Sequence, residues 1–161
     1  MTEIQDSGIY IIRDAFFEKY GNNRYMKNKQ ESRPHYYAMA DKSGVLWMVP
    51  MSTNVDKYKR LIYESERRHG SGNCVHYLIA PIYGKDRAFI ICDMFPVLPE
   101  HVLRPYNINN VPYVLENKNI KKNIRVKALA YLNMVERGVL HSPLNIIETK
   151  AALLKSRKTN Y

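Results

Sequence analysis

Four side chains in this sequence have the types and spacing to act on a phosphate group. Ser52 and Thr53 are adjacent hydroxyls, placed where the apolar stretch VLWMVPM gives way to the basic run NVDKYKR. A strand that ends where a helix begins offers free backbone N–H groups and a positive field, and both attract an anion. Two hydroxyls at that point add two more donors. Lys57 follows Thr53 by one helical turn, so both side chains can face the same phosphate. His35 comes directly after Pro34, and imidazole can take or give a proton near neutrality, its unperturbed pKa being ~6.5. Each residue also has a plainer reading. One hydroxyl would be only the helix N-cap, Lys57 an ordinary solvated cation, and His35 a surface strand residue. No metal or cofactor is expected, because the chain has no His-x-x-x-His pair, no Asp-x-Asp and no cysteine cluster.

The elements that must position these groups are legible from periodicity and turn residues. GIYII at 8–12 is β-branched and aromatic and reads as a strand. Asp14 to Tyr20 reads as a short helix stopped by Gly21. Residues 21–34 are polar and basic with no apolar period, hence a loop. HYYAMA and VLWMVPM form a hairpin across the turn DKSG. From Thr53 to His69 the period changes: Val55, Tyr58 and Ile62 recur at helical spacing, with Lys57, Lys59, Arg60, Arg67 and Arg68 on other faces. Thr53 with Asp56 makes a start like a capping box, and Gly70 and Gly72 end the helix. VHYLIAPI and RAFIICDMF read as a second strand pair joined by YGKD, and NVPYVL as one more short strand. A helix follows from Asn117, with Ile120, Ile124, Ala128, Tyr131, Leu132 and Val135 on one face and Gly138 closing it. Ser142–Pro143 starts a last helix carrying Ile146, Ile147, Leu153 and Leu154, and the tail KSRKTNY is expected to fray. Helices gathered outside a mainly antiparallel sheet predict an α+β fold. No repeat or linker divides the chain, so residues 1–161 are expected to form a single domain.

Composition narrows the partners. An apolar share of 45% is too high for a disordered chain. The net charge of +10, from 25 Lys and Arg against 15 Asp and Glu, calls for an acidic partner: RNA, DNA or an anionic membrane. No stretch approaches ~18 apolar residues, so nothing is expected to span a membrane. The start MTEIQDSGIYII lacks the features of a secretory signal. Cys74 and Cys92 have no nearby ligand set and are expected to be reduced, neither a nucleophile, in a cytoplasmic protein. Two basic clusters are candidate RNA grips. One is the loop with Arg24, Lys27, Lys29 and Arg33 against the lone acid Glu31. The other is the helical run Lys118, Lys121, Lys122, Arg125 and Lys127, which faces no acid in its window. Thirteen tyrosines supply stacking faces, with Tyr25, Tyr36 and Tyr58 closest to these groups. The plainer readings are solvated basic faces and half-buried strand tyrosines. Trp47, Met48, Met94 and Phe95 read as core, and His76 as a strand residue with a satisfied hydrogen bond.

Several of these segments resemble a known family. RPHYYAMADKSGVLWMVPMST followed by NVDKYKRLIYE looks like the strand–hairpin–helix of the ToxN, AbiQ and CptN toxins. AFIICDMFPVLPEHV looks like that family's next strand and bend, and NIKKNIRVKALAYLNMVERG like its helical end. The match is nearest to the CptN subgroup and runs from about Ile9 to Leu154. The resemblance implies a curved antiparallel sheet or partial barrel like that of the Kid and MazF toxins, with peripheral and C-terminal helices. It implies the toxin of a type III toxin–antitoxin system, a metal-independent endoribonuclease leaving 2′,3′-cyclic phosphates on cellular or phage RNA, of the kind used in abortive infection and antiviral defence. Its inhibitor would be a small antitoxin RNA of pseudoknot repeats, assembled with the protein into a closed ring. The family has a Thr/Ser pair in its active site at the position of Ser52 and Thr53. Where several relatives carry an active-site Lys just after a Pro, this chain has His35, a departure that leaves Lys27, Lys29 or Arg33 as other sources of the cation. Some relatives place a Lys two positions after the hydroxyl pair, whereas here Lys57 lies four after Thr53.

Such cleavage needs a base for the 2′-hydroxyl, donors for the phosphate and help for the leaving 5′-oxygen. His35, Ser52, Thr53 and Lys57 are the candidates. Charge and tyrosines alone would equally suit a non-catalytic RNA- or nucleic-acid-binding module, or a structural phage-related protein with acidic partners. The hydroxyl pair beside a His or Lys separates these readings, since a binding module has no need of it.

Overall fold

The computed structural model describes residues 2–159. In chain order the elements are β1 (Ile9–Ile12), α1 (Asp14–Tyr20), β2 (His35–Ala40), β3 (Leu46–Ser52) and α2 (Val55–His69). Then come β4 (Tyr77–Ile82), β5 (Lys85–Ile90), β6 (Phe95–Val97), β7 (Val102–Pro105), β8 (Asn107–Ile108), β9 (Val111–Pro112), α3 (Lys118–Glu136) and α4 (Ile146–Thr159). The fold is α+β. One antiparallel sheet runs in the order β4-β5-β3-β2-β1-β7, with β6 also paired to β3, and β8–β9 is a separate hairpin. β4 and β7 stand at opposite ends of that order, so the sheet is open rather than a closed barrel.

β3 is the strand that organises the site. Its first half pairs with β6 (Leu46 opposite Val97, Met48 opposite Phe95). Its last two residues pair with β5, Met51 opposite Phe89 and Ser52 opposite Ala88. Between β5 and β6 the chain makes a single 3-10 turn, Ile91–Asp93. The run RAFIICDMF therefore is not one strand. It is broken by this turn, which contains its one acidic residue, Asp93.

The core lies on this sheet. Trp47 and Met48 are fully buried, as are Phe16, Phe89 and Met94, and Phe95 is nearly so. Fully burying each such large side chain stabilises the fold by about 1.5–3 kcal/mol. α3 contributes Ile124, Ala128, Tyr131 and Leu132 to the same cluster, and α4 contributes Ile146 and Leu153. α2 packs separately, through Tyr58, on Ala88 and Ile90 of β5.

Other element boundaries also differ from the sequence expectation. α2 begins at Val55, not Thr53. α4 begins at Ile146, because Ser142 Oγ accepts from Leu144 N (3.3 Å) and Asn145 takes a left-handed φ of 54°. This turn uses the residues that read as a helix start. The tail does not fray before Thr159: Arg157 Nη2 donates to Ser43 O (2.6 Å) and Lys150 pairs with Asp41 at 2.8 Å. The rest of KSRKTNY, residues 160 and 161, lies outside the described residues. NVPYVL supplies only Val111–Pro112 as a strand, while Val114 makes an isolated bridge to Gly8. No helix among the described residues is long and apolar enough to cross a membrane.

Candidate functional site

The junction of β3 and α2 brings the hydroxyl pair to the surface. Ser52 Oγ accepts from Asn54 N at 3.1 Å, a local turn that closes the strand. Asn54 is the N-cap residue of α2, yet its side chain makes no capping hydrogen bond. The capping box expected between Thr53 and Asp56 is therefore absent. Thr53 is exposed, and its hydroxyl is bonded to no described residue. No side chain caps α2: Val55 N donates to Thr53 O (2.8 Å), and the next N–H groups form the positive end of a 15-residue helix beside the Thr53 hydroxyl. Lys57 is exposed one turn along, with Nζ 5.2 Å from the centre of the Tyr58 ring.

Beneath this junction lie groups that the sequence reading placed elsewhere or missed. Arg33 was expected as a surface RNA grip, but it is buried. Its Nε donates to Lys27 O (2.6 Å) and its Nη1 to Met51 O (2.8 Å), which ties the basic loop to the end of β3. Burial pulls its pKa down, opposed by the nearby Tyr58 and Asp93. Asp93 is half-buried. Burial raises its carboxyl pKa to about 6, although Lys57 and Arg33 act to lower it. Asp93 thus sits close enough to both cations to feel them. It is a carboxyl group raised toward neutrality within range of the Lys57 and Arg33 charges. The available signal was an acid inside the apolar run IICDMF of a strongly basic chain, an environment that shifts pKa.

His35 does not belong to this surface. It is 1% exposed, opposite Tyr10 of β1 and Pro50 of β3 in the sheet interior. Phe17 of α1 and Phe95 cover it, with ring centres 6.0 and 5.3 Å away. Burial, and then the Arg33 charge, hold its pKa down at about 3. Backbone groups of Arg33 and Tyr10 lie near the ring, but Nδ1 has no hydrogen-bond partner among the described residues. A neutral imidazole sealed in the core cannot serve as the acid or base for a solvent-borne strand, and that assignment is corrected.

The tyrosine assignments also change. Tyr36 is 2% exposed and packs edge-on against Phe89, with ring centres 5.6 Å apart. Tyr58 is buried between α2 and β5, with Tyr77 at 5.3 Å. Neither is an open stacking platform. Their positions follow from strand alternation and helix amphipathicity, which put the large apolar ring inward. Cys92 is likewise no ready nucleophile, since burial pushes its thiol up to about 12. Both cysteines are free thiols. His76 is half-buried, and the side-chain hydrogen bond expected for it is absent among the described residues.

The basic loop is more ordered than its composition suggests. Lys29, Gln30 and Glu31 are three consecutive left-handed residues, with φ of 52°, 56° and 60°. Each costs roughly 1–2 kcal/mol unless its surroundings enforce it. Asn28 Nδ2 supplies that enforcement by donating to Ile12 O (2.7 Å) and Asp14 Oδ1 (2.8 Å). Glu31 accepts from Asp14 N at 3.0 Å and so occupies the start of α1. The lone acid of the loop is thereby engaged, while Arg24, Lys27 and Lys29 remain exposed. On α3, Lys118, Lys122 and Arg125 are exposed and Lys121 is half-buried. Lys127 is diverted, donating to Cys74 O. This helix packs on β2 and on the 3-10 turn that carries Asp93.

Among the described residues, no group of three or more His, Cys, Asp or Glu side chains could hold a metal ion. No protein-family model matches this chain, and no curated protein matches it either.

Proposed function

We propose that this chain is the toxin of a type III toxin–antitoxin pair, an endoribonuclease that cuts RNA without a metal and leaves a 2′,3′-cyclic phosphate. One observation carries this reading. An uncapped helix start, the Ser52 and Thr53 hydroxyls and Lys57 share one junction, and the Lys57 charge acts on Asp93, whose carboxyl pKa burial raises to about 6. A binding module needs the cations but gains nothing from a carboxylate tuned to neutrality, which repels phosphate.

In this mechanism the Asp93 carboxylate takes the proton from the 2′-hydroxyl. The 2′-oxygen then bonds to phosphorus and the P–O5′ bond breaks. Ser52, Thr53, the first N–H groups of α2 and Lys57 hold the charge that builds on the phosphate oxygens. Arg33, fixed by Lys27 O and Met51 O, keeps the base and the strand end in register. The departing 5′-oxygen gains a proton from Asp93 or solvent. The exposed loop cations and the basic half of α3 attract the RNA.

The same reading makes the open sheet a relative of the curved, partly closed sheet of the Kid and MazF toxins. Its inhibitor would be an antitoxin RNA of pseudoknot repeats bound directly over the basic surface, in a protein–RNA ring. Its targets would be cellular or phage RNA in the cytoplasm, with abortive infection and antiviral defence as the setting. The burial of His35 favours the second reading, a non-catalytic RNA-binding module, and one experiment separates the two. The double substitution Ser52→Ala with Thr53→Ala removes growth toxicity while antitoxin-RNA affinity stays within about tenfold, because the hydroxyls act chiefly on the developing charge. A double variant that remained fully toxic would refute the site.

A further inference from the structure

The opposite side of the β3 end carries a second feature that the cleavage mechanism does not use. Met51 and Ser52 are neighbours, and side chains alternate across a strand. Ser52 therefore faces the hydroxyl site, and Met51 lines a cavity of about 460 Å³. That volume lies within the usual range for small-ligand sites, about 300–1,000 Å³. Its walls include Tyr83, Lys85, Arg87, Tyr106 and Asn109. The cavity is built between two hairpin tips. Tyr83 and Gly84 (φ 52° and 76°) turn β4 into β5, and Asn109 and Asn110 (φ 53° and 65°) turn β8 into β9. Two successive left-handed residues are the signature of the tight hairpin turn that matches strand twist. The tips are joined, Asn109 Nδ2 donating to the Tyr83 hydroxyl at 2.8 Å.

The chemistry of the walls selects a ligand. The Tyr83 ring is 64% exposed, an open stacking face of the kind that Tyr36 and Tyr58 do not provide. Lys85 and Arg87 are cations for a phosphate, and Arg87 belongs to the same strand as Ala88, the partner of Ser52. The adjoining larger cavity, of about 670 Å³, has Glu116, Asn117, two tyrosines and apolar residues in its lining and no cation, which disfavours an anionic ligand there. Because its amide nitrogen is held by Tyr83, Asn109 presents Oδ1, which accepts from no described residue.

We propose that this cavity is a base-reading subsite: it holds one unpaired nucleobase of the RNA strand on the face of the sheet opposite the cleaved phosphate. Tyr83 stacks on the base, Lys85 and Arg87 hold the adjoining phosphate, and Asn109 Oδ1 accepts from an exocyclic amino group. Adenine and cytosine carry such a group on the exposed edge and uracil does not, so uracil is disfavoured. This inference rests on the ribonuclease reading for its substrate.

The test measures binding of 2′-O-methyl homopolymers of A, C and U, which lack the attacking hydroxyl, with cleavage of natural RNA followed in parallel. The wild type should bind the A and C strands about tenfold tighter than U, the scale of one good base contact. Asn109→Gly keeps the left-handed backbone and should reduce that preference below about twofold. Tyr83→Ala should weaken all strands by about tenfold. Equal binding of A, C and U by the wild type, or a preference that survives in Asn109→Gly, overturns the subsite and leaves the ribonuclease standing if natural RNA is still cut. Adenosine monophosphate binding as tightly as the A strand also overturns it, in favour of a free-nucleotide site. Failure to bind or cut any strand overturns the ribonuclease reading itself, and the subsite falls with it.

Discussion

Replacing Asp93 with asparagine separates two quantities that usually fall together, stability and activity. In the native state burial holds the Asp93 pKa at about 6, against 3.8 for the free side chain. Between those values the folded protein keeps a proton that the unfolded chain has lost. Stability therefore falls as pH rises from about 4 through about 6 and is flat above. The difference of roughly two units, at 1.36 kcal/mol each, sets an upper bound of about 3 kcal/mol. Asp93 is half-buried, so solvent screening reduces this to about 1–2 kcal/mol at neutral pH. Asparagine is nearly isosteric and carries no charge. Asp93→Asn should therefore gain about 1–2 kcal/mol in urea denaturation at pH 7.5 and nothing at pH 4. The same variant should lose roughly 10²- to 10⁴-fold in kcat/KM, the range of a lost general base. The wild-type acid limb, with its midpoint near pH 6, should vanish with it. An Asp93→Asn protein that is no more stable at pH 7.5, or that cuts RNA at the wild-type rate, refutes the reasoning.

Two further predictions test neighbouring parts of the account. His35→Phe should leave cleavage within about threefold of the wild type, because a buried neutral imidazole takes no part in proton transfer. The native pKa of His35 is about 3 and the unfolded pKa ~6.5, so the wild type should lose stability as pH falls below 6.5, and His35→Phe should remove that part of the loss in acid denaturation. Changing Lys118, Lys122 and Arg125 together to alanine should flatten the salt dependence of RNA binding by about 0.7 in log–log slope per lost contact. Filter binding at several salt concentrations reads this directly, and an unchanged slope would remove α3 from the RNA path.

The sequence carried the elements well and the site in part, for reasons that particular residues make plain. Helical and alternating patterns are local, so α1, β2 and α3 lie almost where their periods put them. β7 was missed because Val102–Pro105 is short and ends in a proline, and only its pairing with β1 makes it a strand. Ser52, Thr53 and Lys57 share one junction, so their proximity is local and legible. The influence of Lys57 on Asp93 is not, since it depends on the break between β5 and β6 alongside β3. His35 misleads for the same reason in reverse. A polar residue after a proline reads as exposed, and the Phe17 that roofs it comes from another element of the sheet's cover. Glu31 looks like a stray acid in a basic loop, and its use at the start of α1 is visible only in three dimensions.

The most direct test of the central claim is analysis of the RNA ends produced by the purified protein in excess EDTA. The account predicts cleavage at the full rate, with a 2′,3′-cyclic phosphate on one fragment and a 5′-hydroxyl on the other, and no such product from a strand carrying 2′-deoxyribose at the cut. Fragments ending in 3′-hydroxyl and 5′-phosphate, or cleavage that appears only when magnesium is restored, would contradict it.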